Sequence, residues 1–198
     1  SGLGALFLMA KPKVHPLWWS EFIPVLFFVS SIYAGLAMII FEGAISHRVF
    51  RHLISPEHHK KFEGILFGLA KGAAISMFVY YFFKALLFIH GKQWGLINDG
   101  WGLWFLVEVL GFVLVPGFMF AFGYKHRSLV IIKIASVLAL LGVILNRLNV
   151  SVIAFKWYAE VHYYPSWQEI VVTLMIICAE IWILRWMVTR MPVLNADH

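Results

Sequence analysis

Four of the ionisable residues inside the apolar runs of the sequence are the main candidates for a functional role, because a charged side chain is costly there. They are Glu42, Glu108, Arg147 and Glu180, and Arg147 has an asparagine on each side in the stretch NRLN. A charge at the centre of a lipid bilayer costs about 2.5–3.5 kcal/mol even on the mildest insertion scales. Such residues are therefore expected to face the interior of a helix bundle, either to pair with each other or to line a route for protons or ions.

The composition places the chain in a membrane. Of its 198 residues, 62% are hydrophobic and 13% are charged, whereas a soluble domain carries about 25% charged residues. The net charge is +6, but the basic residues flank apolar runs, so they indicate membrane topology and not a nucleic-acid partner. With Cys178 as its one cysteine, the chain can form neither an internal disulfide nor a cysteine-based metal site.

The apolar runs predict the fold class, an all-α integral membrane protein with about five transmembrane helices. Five runs reach the length of about 20 residues that crosses a bilayer. The predicted spans are 22–45, 64–90, 101–123, 128–155 and 169–188, in a single bundle over residues 1–198. Pro116 is expected to kink the third span, because proline lacks a backbone N–H.

The connections between the spans fall on two sides of the membrane. Side A holds residues 11–21, 91–100 and 156–168, and side B holds 46–63, 124–127 and the C-terminus. Lys and Arg are more frequent on side B, so the positive-inside rule makes side B and the C-terminus cytoplasmic. Side A carries most of the Trp residues, which indicates either an interfacial aromatic belt or a surface that docks a partner.

The depth of each ionisable residue suggests which of them meet. At about 1.5 Å per residue, Arg147, Glu108 and Lys84 lie about 12, 10 and 9 Å in from side A, in one layer. Our hypothesis is that Glu108 holds Arg147 and that a proton track continues through Glu180, with Glu42 at the side-B end. The alternative is that Arg147 and Glu108 only pin two helices, while Lys71, Lys84, Lys133 and Arg185 extend to the headgroups.

The histidines argue against haem b, which usually needs axial histidines from different spans. All nine lie in loops or at span ends, and the last three spans contain none. His52, His58 and His59 stand beside Lys60 and Lys61, which favours a solvated loop over a metal site. We therefore expect no haem and no metal in this chain.

Three sequence blocks in order resemble the NrfD/polysulfide-reductase membrane-subunit family, especially the membrane subunits of hydrogenase-2-type complexes. The first is KVHPLWWSEF, followed by a span that ends in FEG at Glu42. The second is NRLNVSVIAF, which contains Arg147. The third is YYPSWQEI, which enters the span that contains Glu180. The likeness concerns the C-terminal half of the family.

The resemblance implies a subunit of the bacterial inner membrane that connects periplasmic redox proteins to the quinone pool, menaquinone or ubiquinone. The implied partners are a ferredoxin-like iron–sulfur subunit, a catalytic subunit and, in some relatives, a multihaem cytochrome c. His15, Trp18, Tyr163 and Trp167 are the candidate docking residues on side A.

The family's quinone pocket is mostly assigned to its N-terminal half, so we do not expect a complete pocket here. Either the chain is part of a longer subunit, or another polypeptide supplies the rest. Such a chain would contribute scaffold, docking surface and a proton route, and would not be catalytic alone. Two alternatives stay open, a non-redox membrane anchor for a periplasmic complex and half of a secondary transporter.

Overall fold

The computed structural model describes residues 2–9, 11, 13–49, 56–155, 157–158 and 166–190. Within these residues the chain is helical and contains no strand, and five helices are long and apolar enough to cross a bilayer. The predicted fold class is thereby confirmed. The spanning segments are Ile23–Ile45, Phe62–His90, Gly100–Lys125, Leu129–Ile153 and Trp167–Met187.

The helices follow one another with short connections. In chain order they are α1 (Gly2–Leu8), α2 (Ile23–Val49), α3 (Pro56–His90), a 3-10 turn (Gln93–Leu96), α4 (Gly100–Leu106), π-helical segment π1 (Val107–Leu114), α5 (Val115–Lys125), α6 (Leu129–Leu148), π-helical segment π2 (Asn149–Ile153) and α7 (Trp167–Arg190). The segments α4, π1 and α5 run on without a break and together form the third span.

Four spans form a closed ring in the first of two compact units, Ser1–Ala159. Helix α2 packs against α3, α3 against α5, α5 against α6, and α6 back against α2. Many core positions are small, including Ala37, Ala70, Ala73, Ala135 and Ala139. Small side chains let helix backbones approach closely. In lipid, where the hydrophobic effect does not drive helix association, the van der Waals packing of such close contacts holds the helices together.

The second compact unit, Glu160–His198, contains α7. Its described side chains are exposed within the unit, among them Ile177 and Trp182, and they are apolar enough for lipid or protein to cover them. The prediction of a single bundle that includes this fifth span stays a prediction.

Gly142 shows how closely α6 approaches the third span. A Cβ atom built at this position would lie 2.6 Å from the backbone oxygen of Phe112 and 2.9 Å from its Cβ. A backbone oxygen cannot move aside as the end of a flexible side chain can, so only glycine permits this spacing. The contact brings π1 against α6 and positions the polar residues described next.

Candidate functional site

Two stretches of π-helix carry the polar residues at one end of the ring. Segment π1 contains Glu108 and ends just before Pro116, and segment π2 begins with Asn149. Proline cannot donate a backbone hydrogen bond, and widened turns of this kind occur where the regular hydrogen-bond ladder is interrupted, often at functional sites. The structure thus has a π-helical stretch on the N-terminal side of Pro116, and the predicted kink stays a prediction.

Glu108 is the centre of this polar cluster. Its side chain is 1% exposed. The indole Nε1 of Trp18 donates to Oε2 at 2.6 Å, and the amide of Asn146 donates to Oε1 at 2.6 Å. The amide of Asn149 donates a further hydrogen bond to Oε2. Three N–H donors on two oxygens match an ionised carboxylate, which only accepts hydrogen bonds.

The amide of Asn149 is oriented by a second tryptophan. The indole Nε1 of Trp104 donates to the Asn149 Oδ1 at 3.0 Å, so the amide nitrogen must face Glu108. Trp104 and Glu108 are four residues apart on the third span. One helix face therefore provides both the carboxylate and the group that orients its donor.

Arg147 does not pair with Glu108, so this part of the sequence hypothesis was wrong. Its Nη2 donates to Ser30 Oγ at 2.7 Å and reaches the Phe27 backbone oxygen at 3.4 Å. Its guanidinium carbon lies 3.5 Å from the centroid of the Phe27 ring. Consecutive helical residues point about 100° apart, so Asn146 faces Glu108 while Arg147 faces α2.

Lys84 joins the same layer from α3, as its depth predicted. The side chain is 6% exposed, and its ammonium lies 4.9 Å from the centroid of the Phe105 ring. It interacts electrostatically with Glu108, but no carboxylate of the described residues is in direct contact with it. The layer therefore combines Lys84, Glu108 and Arg147 without a direct ion pair among them.

The aromatic residues of side A partly close this end of the ring. The His15 ring stacks on Trp101 with centroids 5.4 Å apart and meets the edge of Trp157 at 4.9 Å. Trp18 packs edge-on against Phe105 with centroids 5.5 Å apart. Trp18 also contacts Glu108, so internal packing accounts for part of the Trp excess that the sequence shows on side A.

The HPLW loop is tied to the end of the fourth span. The His15 N–H donates to the Ala154 backbone oxygen at 2.9 Å, beside an isolated antiparallel bridge between Val14 and Phe155. The Leu17 N–H donates to His15 Nδ1 at 3.3 Å, so Nδ1 is unprotonated. Burial lowers the pKa of His15, and the Asp99 carboxylate opposes this with a smaller effect.

The remaining predicted site residues lie elsewhere. Glu42 is exposed on α2, and Glu180 and Trp167 are exposed on α7 within the second unit. Tyr163 lies outside the described residues. His15 and Trp18 are 3% and 2% exposed, so within the first unit they face inward. Exposed aromatic residues at this end include Trp94, Trp104, Trp157 and Tyr158.

Sequence reasoning missed the roles of Trp18 and Ser30. The sequence pattern indicates Trp18 only as a docking or belt residue, and it gives no signal for Ser30. Asn146 and Asn149 were noted as neighbours of Arg147, and their spacing of three residues was the available signal that both face one partner. Among the described residues, no group of three or more His, Cys, Asp or Glu side chains is placed to hold a metal.

Comparison with known proteins identifies the class that this geometry defines, a multi-pass membrane bundle with a buried polar layer. The family model described as polysulphide reductase, NrfD, matches residues 2–159. The chain belongs to this family, which confirms the resemblance seen in the sequence. No solved structure matches the chain significantly.

Two curated relatives match almost the entire chain. A protein of Nitratidesulfovibrio vulgaris is 42% identical over 196 residues, covering 98% of this chain and 50% of the relative. The probable Ni/Fe-hydrogenase 2 b-type cytochrome subunit of Escherichia coli K12 is 26% identical over 203 residues, covering 100% of this chain and 51% of the relative. The chain thus spans about half the length of the curated relatives it matches.

Proposed function

We propose that this chain is part of the membrane subunit of a respiratory oxidoreductase complex in the bacterial inner membrane, with side B cytoplasmic. The subunit connects a periplasmic iron–sulfur protein to the quinone pool, and protons move to balance the electrons. The family match over residues 2–159 carries the proposal. The similarity to a hydrogenase membrane subunit supports it.

The polar layer supports a role in which this chain controls charge near side A. A buried carboxylate with three N–H donors is fixed in position, and Lys84 and Arg147 surround it without direct contact. In low dielectric these charges act over a longer range than they would in water. Such a layer sets the electrostatic potential through which protons and electrons pass between the periplasmic partner and the membrane.

Haem is not part of the proposal, although the name of the Escherichia coli relative describes it as a b-type cytochrome subunit. Haem b held between spans needs facing axial ligands, and the last three spans contain no histidine. His15 is committed to other contacts, since its Nδ1 accepts from Leu17 and its ring stacks on Trp101.

Purification of the native complex from membranes tests the proposal. An affinity tag on the full-length subunit should retain an iron–sulfur protein, which mass spectrometry and iron analysis would identify. The retained complex should reduce or oxidise added quinone analogues. A subunit that purifies without any iron–sulfur protein, from membranes solubilised in mild detergent, would contradict the proposal.

The docking surface can be tested in the same preparation. Trp167 begins α7 and is 72% exposed, so Trp167→Ala should weaken retention of the iron–sulfur protein if this ring is an anchor. Buried aromatic anchors typically contribute about 2 kcal/mol, or roughly thirtyfold in affinity. Trp182→Ala is the matched control, because Trp182 is 68% exposed on the same helix but lies near the opposite end of the span that Trp167 begins. Equal retention of the iron–sulfur protein by both variants would show that Trp167 is not part of the interface.

A further inference from the structure

A small cavity lies beside the polar layer, between the HPLW loop, α3 and the third span. Its volume is about 20 Å³, which is enough for about one water molecule or one ion of similar size. Polar groups reach the cavity from Ser20, Lys84 and Gln93, and apolar side chains such as Leu26 and Phe105 form much of the remaining wall.

Lys84 is the charged group in this wall, and it is nine-tenths buried. Among the described residues, its ammonium contacts the face of the Phe105 ring, 4.9 Å from the ring centroid. A cation–π contact of this kind offsets only part of the cost of burying an ammonium group. Within the described residues, the ammonium therefore lacks a counter-ion in contact.

Ser20 supplies a second group without a partner. Its hydroxyl oxygen is buried and forms no hydrogen bond within the described residues, although it lines the same cavity as Lys84. Gln93 uses its amide nitrogen to donate to the Pro16 backbone oxygen at 2.8 Å, which leaves the second N–H of that nitrogen. An ammonium, a hydroxyl and an amide N–H can all donate, so the cavity suits a ligand that accepts hydrogen bonds.

The charge of the layer decides what kind of acceptor fits. Lys84 and Arg147 are two cations, and Glu108 is the one carboxylate that the described residues place among them. The Glu108 oxygens are already occupied by three neutral N–H donors. The buried layer is thus short of one negative charge, which favours an anion over a neutral molecule at Lys84.

We propose that this cavity binds one small monovalent anion of halide size, held by the Lys84 ammonium and the Ser20 hydroxyl. The anion neutralises the excess positive charge of the layer and occupies the hydrogen-bonding capacity that Ser20 leaves unused. The site does not depend on the redox function proposed above, because its occupancy is measured by stability and not by turnover.

Thermal unfolding of the detergent-solubilised full-length subunit tests this site. The protein is compared in sodium gluconate, chloride and bromide at constant ionic strength. Wild type should show a saturable rise in Tm with either halide, of roughly 5 °C at concentrations far above Kd. Lys84→Met should abolish the rise, and in gluconate it should unfold no earlier than wild type, because an unneutralised buried cation has been removed.

Lys71→Met is the matched control. Lys71 lies on the same helix but is exposed, so this variant should keep the full halide response and exclude general salt effects. Ser20→Ala removes one hydrogen-bond donor to the anion, so it should raise the halide concentration needed for half of the rise in Tm. This variant provides the test if Lys84→Met does not fold. Equal Tm of wild type in gluconate and bromide would overturn the proposal, as would an undiminished halide response of Lys84→Met. Either result would indicate that a bridging water, and not an anion, occupies the cavity.

Discussion

Replacement of Glu108 by Gln distinguishes a fixed anion from a group that carries a proton. Glutamine has nearly the shape of a protonated glutamic acid, so it would be tolerated if Glu108 were neutral in the native state. An ionised Glu108 instead accepts three N–H bonds, from Trp18, Asn146 and Asn149. The amide of glutamine offers one oxygen and two N–H donors, so it cannot serve all three while the Asn146 amide keeps its present orientation.

The geometry sets the size of the effect. In the better orientation the amide oxygen takes the place of Oε2 and keeps Trp18 and Asn149, and its NH2 group finds an acceptor if the Asn146 amide turns its Oδ1 towards it. All three charge-assisted bonds, worth about 1.5–3 kcal/mol each, then fall to the neutral value of about 0.5–1.5 kcal/mol each. We expect Glu108→Gln to destabilise the bundle by about 3–5 kcal/mol.

The assay is thermal unfolding in detergent at neutral pH, followed by tryptophan fluorescence. A loss of this size should lower Tm by roughly 10 °C. Glu42→Gln, at an exposed position on α2, is the control and should change stability by less than about 0.5 kcal/mol. If Glu108→Gln unfolds together with this control, Glu108 is protonated in the native state and the fixed-anion interpretation is refuted.

A double-mutant cycle with Trp18→Phe extends the test to the donor. Phenylalanine keeps an aromatic ring against Phe105 but removes the N–H that reaches Oε2. The cost of Trp18→Phe should be smaller in the Glu108→Gln background than in wild type, because the bond it removes is already weakened. Additive costs would mean that the two side chains are not coupled.

Two further predictions concern packing and pH. Gly142→Ala should destabilise the bundle by about 1–3 kcal/mol, since the new methyl group would lie 2.6 Å from the Phe112 backbone oxygen. The control is Gly111→Ala, because a Cβ at that position has no neighbour within 4 Å. Equal Tm values for the two variants would show that the helices can move apart at no cost. Burial lowers the pKa of His15, so the folded protein is stabilised when this imidazole is neutral. The stability is fully present above the unfolded-state pKa of about 6.5 and is lost as the pH falls through the lower pKa of the folded state. The Tm of wild type should therefore fall more steeply than that of His15→Gln below about pH 6.5, and parallel pH profiles would show that His15 is not the group responsible.

Depth along the membrane could be predicted from the sequence, whereas direction around each helix could not. Counting residues from the span ends placed Lys84, Glu108 and Arg147 in one layer, because an α-helix rises by a nearly constant amount per residue. The partner of Arg147 depends on rotation, which advances about 100° per residue and is altered wherever the helix widens into a π-turn. Both Glu108 and Asn149 lie in such segments.

The aromatic residues show a second limit. An excess of Trp at one end of the spans predicts contact with the membrane interface or with a partner, since both environments favour a ring with a polar edge. A buried carboxylate without a direct cationic partner also favours tryptophan, because the indole N–H donates to the carboxylate while the ring packs against apolar neighbours. Trp18 serves Glu108 in this way, and no local pattern separates that use from the other two.

The hydrogen bonds of Glu108 also restrict any proton track that includes it. A proton on either carboxylate oxygen of Glu108 would make that oxygen a hydrogen-bond donor facing another N–H donor. One of the three neighbours would then have to offer an acceptor in place of its N–H group. The indole of Trp18 has no acceptor to offer, and the amide of Asn149 is held by Trp104, which donates to its oxygen. Asn146 is different, because none of the described hydrogen bonds involves its Oδ1 and a rotation of its amide would present that oxygen to Oε1. A proton track that includes Glu108 therefore requires the amide of Asn146 to turn whenever the carboxylate takes up a proton. Without that movement Glu108 remains an anion, and its function is electrostatic.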